Sequence, residues 1–182
     1  GSPLPGQLLL VGDDDRPVAA GEAGEIVGLG RLTMERYHNR PDATRESTWV
    51  DPDGRRWLRT GDIGRLDDEG FLYLVDRKKD MILSGGQNIY PADLESVLVQ
   101  HPQVAEVAVI EVPSDRWGET PLALVVERAG ASQRPEPEAL RDWANAGLGR
   151  QQRIAGLRYV ESLPRNPNGK ILKRELRKEF IP

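Results

Sequence analysis

The lysines of this chain are few and clustered. Lys78 and Lys79 lie together, and Lys170, Lys173 and Lys178 follow near the C-terminus. Cysteine is absent, and His38 and His101 are the histidines. Disulfides, thiolate nucleophiles and cysteine- or histidine-rich metal sites are therefore excluded, and no metal site is expected within the chain. Any chemistry falls to carboxylates, lysines, arginines and hydroxyls.

Three strings carry the residue types that could act. In Trp57-Leu58-Arg59-Thr60-Gly61-Asp62 a glycine permits a tight backbone turn beside an aspartate placed at a strand end, where its carboxylate could accept both hydroxyls of a ribose. The second string runs from Asp76-Arg77-Lys78-Lys79-Asp80 through Ser84-Gly85-Gly86-Gln87-Asn88 to Glu95. Its paired glycines allow close backbone approach to a narrow ligand, and Arg77 can hydrogen-bond ribose or phosphate oxygens. The third, Leu163-Pro164-Arg165-Asn166-Pro167-Asn168-Gly169-Lys170, reads as an extended exposed loop with Lys170 at its tip as a point charge on a flexible stem. A Walker phosphate loop is excluded there, because the Gly-x-x-x-x-Gly-Lys-Ser/Thr spacing is missing. Each string alone also fits an ordinary turn, linker or solvated loop.

The elements that must hold these strings can be read from pattern. Short apolar runs at Gln7 to Val11 and Glu25 to Leu29, with further strands at Arg56 to Arg59, Ile63 to Leu66 and Phe71 to Val75, predict an antiparallel β unit over 1–75. A short helix is expected from Pro41 to Thr48, and Asp67-Asp68-Glu69-Gly70 supplies a hairpin turn. The charged stretch 76–80 suits a surface connection and marks a domain boundary with a hinge. Residues 81–182 predict a compact α+β domain, its small sheet flanked by helices. Helices are expected near Pro91 to Gln100, Glu136 to Leu148 and from Lys173, and strands at Met81 to Leu83, Val104 to Val112, Leu122 to Val126 and Leu157 to Val160.

Composition narrows the function classes. A chain of 182 residues has room for one ordinary domain or two small ones, and its net charge of -4 argues against nonspecific nucleic-acid binding. No apolar run reaches the roughly 18 residues of a membrane helix, and no basic-then-apolar leader opens the sequence, so a cytoplasmic protein without a membrane span is expected.

In order and spacing, Arg59-Thr60-Gly61-Asp62, the Asp76 to Glu95 string and Asn168-Gly169-Lys170 resemble the last three core motifs of the adenylate-forming superfamily, which includes acyl-CoA synthetases, peptide-synthetase adenylation domains and luciferases. The resemblance extends to Gly24-Glu25-Ile26, Tyr37 to Thr44, Val109 to Pro113 and Trp117-Gly118-Glu119. Asp76-Arg77-Lys78-Lys79-Asp80-Met81-Ile82 and Ser84-Gly85-Gly86-Gln87-Asn88 look most like acyl-CoA synthetases.

This resemblance implies an ATP-dependent ligase that converts a small-molecule carboxylic acid to acyl-AMP and then to the CoA thioester. ATP, Mg2+ and CoA would be required, with the phosphate and metal contacts mostly outside this chain. By motif, Asp62 and Arg77 would bind the nucleotide and Lys79 would be the hinge. Lys170 would be the catalytic lysine of adenylation, and Gly85, Gly86 and Asn88 would line the passage for pantetheine. Leu83 stands where luciferases carry a second lysine, so no role for that lysine transfers. The glycine-rich phosphate loop and acyl pocket belong to a large N-terminal domain of the family. The chain is thus expected to be a C-terminal fragment that needs that domain as its partner and is inactive alone. An adenylation enzyme loading a carrier protein and a noncatalytic interaction domain are the competing readings.

Overall fold

The computed structural model describes residues 7–31, 33–130 and 134–181. The chain divides into two compact units, 1–79 and 80–182.

In the first unit, β1 (Gln7–Val11), β2 (Ala23–Leu29), β4 (Arg56–Leu66) and β3 (Thr48–Val50) lie side by side, and β5 (Leu72–Arg77) also pairs with β4. All pairings are antiparallel. Val11, Val27, Trp49 and Trp57 form the core, with the two indoles opposed across β3 and β4 and their ring centroids 5.9 Å apart. This pairing explains why α1 (Pro41–Glu46) is shorter than expected: Thr48 and Trp49 are strand residues, since Trp49 packs only by joining the sheet. Asp51 is buried beneath this sheet edge, where its carboxylate accepts from Trp57 Nε1 at 2.9 Å and Arg55 Nε at 2.7 Å.

The strands expected on either side of Thr60-Gly61-Asp62 are one strand. Residues 60–62 face only Ile26 on β2, forming a bulge, and Gly61 takes φ +72°. A bulge bends a strand without ending it, and the Thr60 hydroxyl fills the interrupted ladder by donating to the Ile26 carbonyl at 2.8 Å. Asp62 therefore lies within β4, not at a strand end.

The second unit is an α+β layer structure built on β8 (Val104–Ser114) and β9 (Gly118–Glu127). Side chains alternate across a strand. Val107, Val109, Ala123 and Val125 face one way, toward α2 (Pro91–Leu98) and α3 (Pro137–Ala146) through Leu94, Leu98, Leu140 and Ala144. Ala108, Ile110, Leu122 and Leu124 face the other way, toward Leu163 and toward Leu176 on α4 (Lys173–Phe180). Coverage of both faces explains the unbroken apolar run in β9. β10 (Gly156–Tyr159) adds in parallel to β9, and β6 (Ile82–Ser84) pairs with β9 and with β7 (Gln87–Ile89). The predicted α+β class holds, and β3 and β7 are additions to it. Asp76 and Arg77, expected in the connector, are the last residues of β5, and one 3-10 turn spans Lys78–Asp80. Among the described residues no helix is long and apolar enough to cross a membrane.

Candidate active site

The bulge in β4 delivers Asp62 directly opposite Arg77 of β5. Asp62 Oδ1 lies 2.8 Å from Arg77 Nε, and both side chains are partly open, at 34% and 42%. The pair is close in charge but not aligned, since Arg77 Nε is buried without a well-directed hydrogen-bond partner. An acidic acceptor and a planar donor side by side, neither saturated by the other, fit a vicinal diol such as a ribose.

Behind this pair, Glu25 of β2 is buried and its Oε2 accepts from Arg59 at 2.6 Å and Lys78 at 3.0 Å. Burial pulls on the Arg59 guanidinium in the lowering direction, but its bonds to Asp15 and Glu25 outweigh that and hold it above its usual range. Gly24 is required for close packing, because a Cβ there would meet the backbone nitrogen of Val11 at 3.0 Å.

Lys170 sits on a braced loop. The Asn166 carbonyl oxygen of the side chain accepts from the backbone amides of Asn168 at 3.0 Å and Lys170 at 2.9 Å, while the Asn166 amide donates to the Lys170 carbonyl at 2.9 Å. Gly169 takes φ +81°, which closes the turn. At the loop base Arg165 pairs with Glu106 at 3.0 Å, and the Leu172 amide donates to Pro164 at 2.7 Å. Lys173, three residues on, is held by Glu95 at 2.7 Å. Lys170 is exposed, and its ammonium meets no carboxylate among the described residues. Lys78, Lys173 and Lys178 each do.

Gly85 and Gly86 form the two-residue turn between β6 and β7, at φ +58° and +80°. Both angles positive is the geometry that suits the twist of a tight hairpin and selects glycine. The two glycines differ in surroundings. A Cβ at Gly85 would stand 2.7 Å from the Trp117 ring, whereas one at Gly86 would meet nothing within 4 Å. Trp117-Gly118-Glu119 cups this hairpin: the Gly85 amide donates to the Trp117 carbonyl at 2.8 Å, and the Leu83 amide donates to Glu119 Oε2 at 2.8 Å. Arg116 stacks on the exposed face of Trp117, 4.6 Å from the ring centroid. Asn88 borders a cleft of about 290 Å³ with Gln87, Gly149 and Gln152. A larger cavity, about 760 Å³, lies in the first unit between Tyr37, His38, Arg40, Thr44, Arg56 and Leu58, and holds none of the predicted residues.

Asp62 and Arg77 thus meet in the first unit. In the second, Gly85 and Gly86 share the β6–β7 turn, Asn88 lies on β7 and Lys170 stands on a separate loop, while Lys79 is exposed between the half-buried Lys78 and the buried Asp80. Sequence reasoning gave no role to Glu25, Arg59, Asp80, Glu95, Glu111 or Arg177. Their signal is only visible as buried or half-buried charge, which requires a partner. Among the described residues no cluster of three or more His, Cys, Asp or Glu is placed to hold a metal.

The chain thus combines an antiparallel sheet on which a carboxylate and an arginine face each other with an α+β unit that bears an exposed loop lysine. Residues 93–170 match the AMP-binding enzyme C-terminal domain family, so the second unit carries a domain of that family. It is 43% identical to 2-succinylbenzoate--CoA ligase of Geobacillus kaustophilus over 100% of this chain and 36% of that protein. It is also 43% identical to long-chain-fatty-acid--CoA ligase FadD13 of Mycobacterium tuberculosis, over 94% of this chain and 33% of that one. ATP-bound MatB from Rhodopseudomonas palustris superposes with TM-score 0.86 at 30% identity, covering 97% of this chain and 34% of that structure. The amide bond synthetase McbA from Marinactinospora thermotolerans does so with TM-score 0.82 at 35% identity, over 96% and 34%. The chain therefore spans about a third of the length of these relatives.

Proposed function

We propose that this chain supplies the ribose-binding strand pair and the mobile catalytic domain of an AMP-forming acyl-CoA ligase, acting with a large domain of the kind its relatives carry. The observation that carries the reading is Lys170: an exposed, unpaired ammonium on a loop braced at its tip and at both ends, in a chain similar throughout to CoA ligases. Asp62 and Arg77 hold the ribose of ATP. Lys170 binds the substrate carboxylate and the α-phosphate as the P–O bond to pyrophosphate breaks and acyl-AMP forms. A fixed positive charge where negative charge shifts in the transition state lowers the barrier without proton transfer. In the second half-reaction the CoA thiol attacks the acyl carbonyl and AMP leaves, with Gly86 and Asn88 beside the pantetheine arm and Lys79 as the hinge between the two working states. Mg2+ accompanies the ATP phosphates, bound by groups outside this chain, and the cytoplasm is the compartment where these substrates meet.

The experiment is made on the natural full-length protein. Carboxylate-dependent exchange of pyrophosphate into ATP, followed by thioester formation on adding CoA, is expected. Exchange without any CoA product would favour a second reading, a ligase with a different acceptor, to which the likeness with an amide bond synthetase points. No exchange with any carboxylic acid would leave a noncatalytic domain.

A further inference from the structure

A helix of 8 residues has little intrinsic stability, and α4 gains little more from apolar contact. Leu176 is its buried residue, most of the others are charged, and no side chain caps its N-terminus. Lys173 opens the helix, where the helix dipole disfavours a cation, and its side chain is only 13% exposed. Pairing with Glu95 offsets both effects: Lys173 Nζ lies 2.7 Å from Glu95 Oε1, and the Glu95 side chain is 24% exposed. The same Oε1 accepts from the Val109 backbone amide at 2.8 Å. Among the described residues β8 pairs with β9 alone, so this amide lies on the outer edge of β8, where no strand can accept from it. α2 and α4 contribute to apolar clusters on opposite faces of the sheet. Glu95 therefore reaches from α2 around the edge of β8, fills an empty ladder position and meets α4 at its first residue.

Lys173 also ends the Lys170 loop, whose two stems are held unequally. On the N-terminal side Arg165 pairs with Glu106 of β8 at 40% and 42% exposure, and ion pairs so open to solvent hold little. Arg165 bridges to Ile171, and the Leu172 amide donates to Pro164, which joins the stems to each other. Only the pair of Lys173 with Glu95 ties the C-terminal stem to the sheet edge through largely buried charge, and removing one partner from such a pair is strongly unfavourable. Resting on the proposed role of Lys170, we infer that Glu95 is a positioning residue for adenylation: by holding Lys173 against the edge of β8 it fixes where the Lys170 loop leaves the sheet, and so where the ammonium is presented. Displacing a reacting group by about 1 Å can slow a reaction on the order of a hundredfold, so a loosened stem matters even when the loop keeps its internal bonds. Glu95 closes the string whose Gly86 and Asn88 are proposed to serve the thioester step, and this one segment thereby contributes to both half-reactions.

Amide hydrogen exchange on the 182-residue chain tests the contact without substrate. Glu95→Gln leaves an acceptor for the Val109 amide and removes the charge that holds Lys173. Exchange at the Leu172 and Lys170 amides should speed up by about tenfold or more, the effect of losing a bond to a charged group, while Val109 stays protected. Lys173→Met breaks the same pair from the other side and should reproduce this, and the double variant should add nothing further. Lys178→Met deletes a cation from α4 that is paired with Glu175 near the surface, and should change neither amide. In the natural full-length protein, Glu95→Gln and Lys173→Met should each slow single-turnover adenylation by about 10- to 100-fold. Their thioester step, started from preformed acyl-adenylate and CoA, should keep the parental rate, and Lys173→Arg should retain most of the adenylation. A merely structural residue would slow both steps together. Unchanged exchange at Leu172 and Lys170 in folded Glu95→Gln, or equal damage to both half-reactions, would overturn the positioning role. Full adenylation by Glu95→Gln beside a collapsed Lys170→Ala would overturn it and leave the reading of Lys170 standing, whereas full adenylation by Lys170→Ala would overturn both.

Discussion

The charges proposed to bind nucleotide and the charge proposed to act on it are held in opposite ways. Asp62 and Arg77 face each other across a β ladder, 2.8 Å apart and only partly open to solvent. Lys170 stands alone on a turn, and the structure around it fixes the loop backbone while leaving the ammonium unengaged. A paired site is preorganised and stationary, which suits ground-state binding of a ribose. An unpaired cation on a rigid loop can be delivered to a developing negative charge and withdrawn from it. Lys170 differs in this from its neighbours Lys173 and Lys178, which are paired with carboxylates, and the proposed role for it turns on that difference.

Removing the isolated charge should have the largest effect. Lys170→Ala in the full-length enzyme is expected to slow adenylation by about a hundred- to a thousandfold, the usual effect of deleting a transition-state donor. Single-turnover formation of acyl-AMP measures it. Asp62→Asn should instead act on binding, weakening ATP by roughly 10- to 100-fold, as expected for loss of hydrogen bonds to a charged group. ATP titration with a slowly reacting acid checks this, and an ATP affinity unchanged by the substitution would count against the paired site.

Two smaller effects sharpen the role of turns. Gly85→Ala places a methyl 2.7 Å from the Trp117 ring at a φ of +58°, so unfolding by urea should show a loss of about 1–3 kcal/mol. Gly86→Ala meets open space and should cost about 1 kcal/mol from backbone strain alone. Trp117→Ala should relieve the first and not the second; equal costs at both glycines would show that Trp117 does not pack as described. Of similar size, Asn166→Ala deprives the Asn168 and Lys170 amides of their acceptor and should cost about 1 kcal/mol. Faster hydrogen exchange at those two amides is the readout.

Much of this arrangement was legible because its signals are local. Pro164, Asn166, Pro167 and Gly169 announce an exposed loop, and the strand-like apolar run in Val104 to Val112 and the helical spacing of Leu94, Val97 and Leu98 announce the α+β unit. Two short strands escaped notice, since Gln87–Ile89 and Thr48–Val50 carry three residues each and owe their state to neighbours. The single strand through Asp62 was also hidden, because Gly61 reads as a break and only the pairing with both neighbours turns it into a bulge. The charge network lay further out of reach. Glu25 and Lys78 are 53 residues apart, and Asp80 and Arg177 are 97 apart. No periodicity links such residues, and only the fold reveals that these carboxylates are buried.

On the proposed function, Lys170 serves one half-reaction and is withdrawn from the other. The direct measurement supplies the full-length Lys170→Ala enzyme with preformed acyl-adenylate and CoA, and compares its single-turnover rate of thioester formation with that of the parent. Near-parental rates are expected in this step from a variant whose adenylation has collapsed. A thioester step damaged as severely as adenylation, or adenylation left unimpaired, would contradict it.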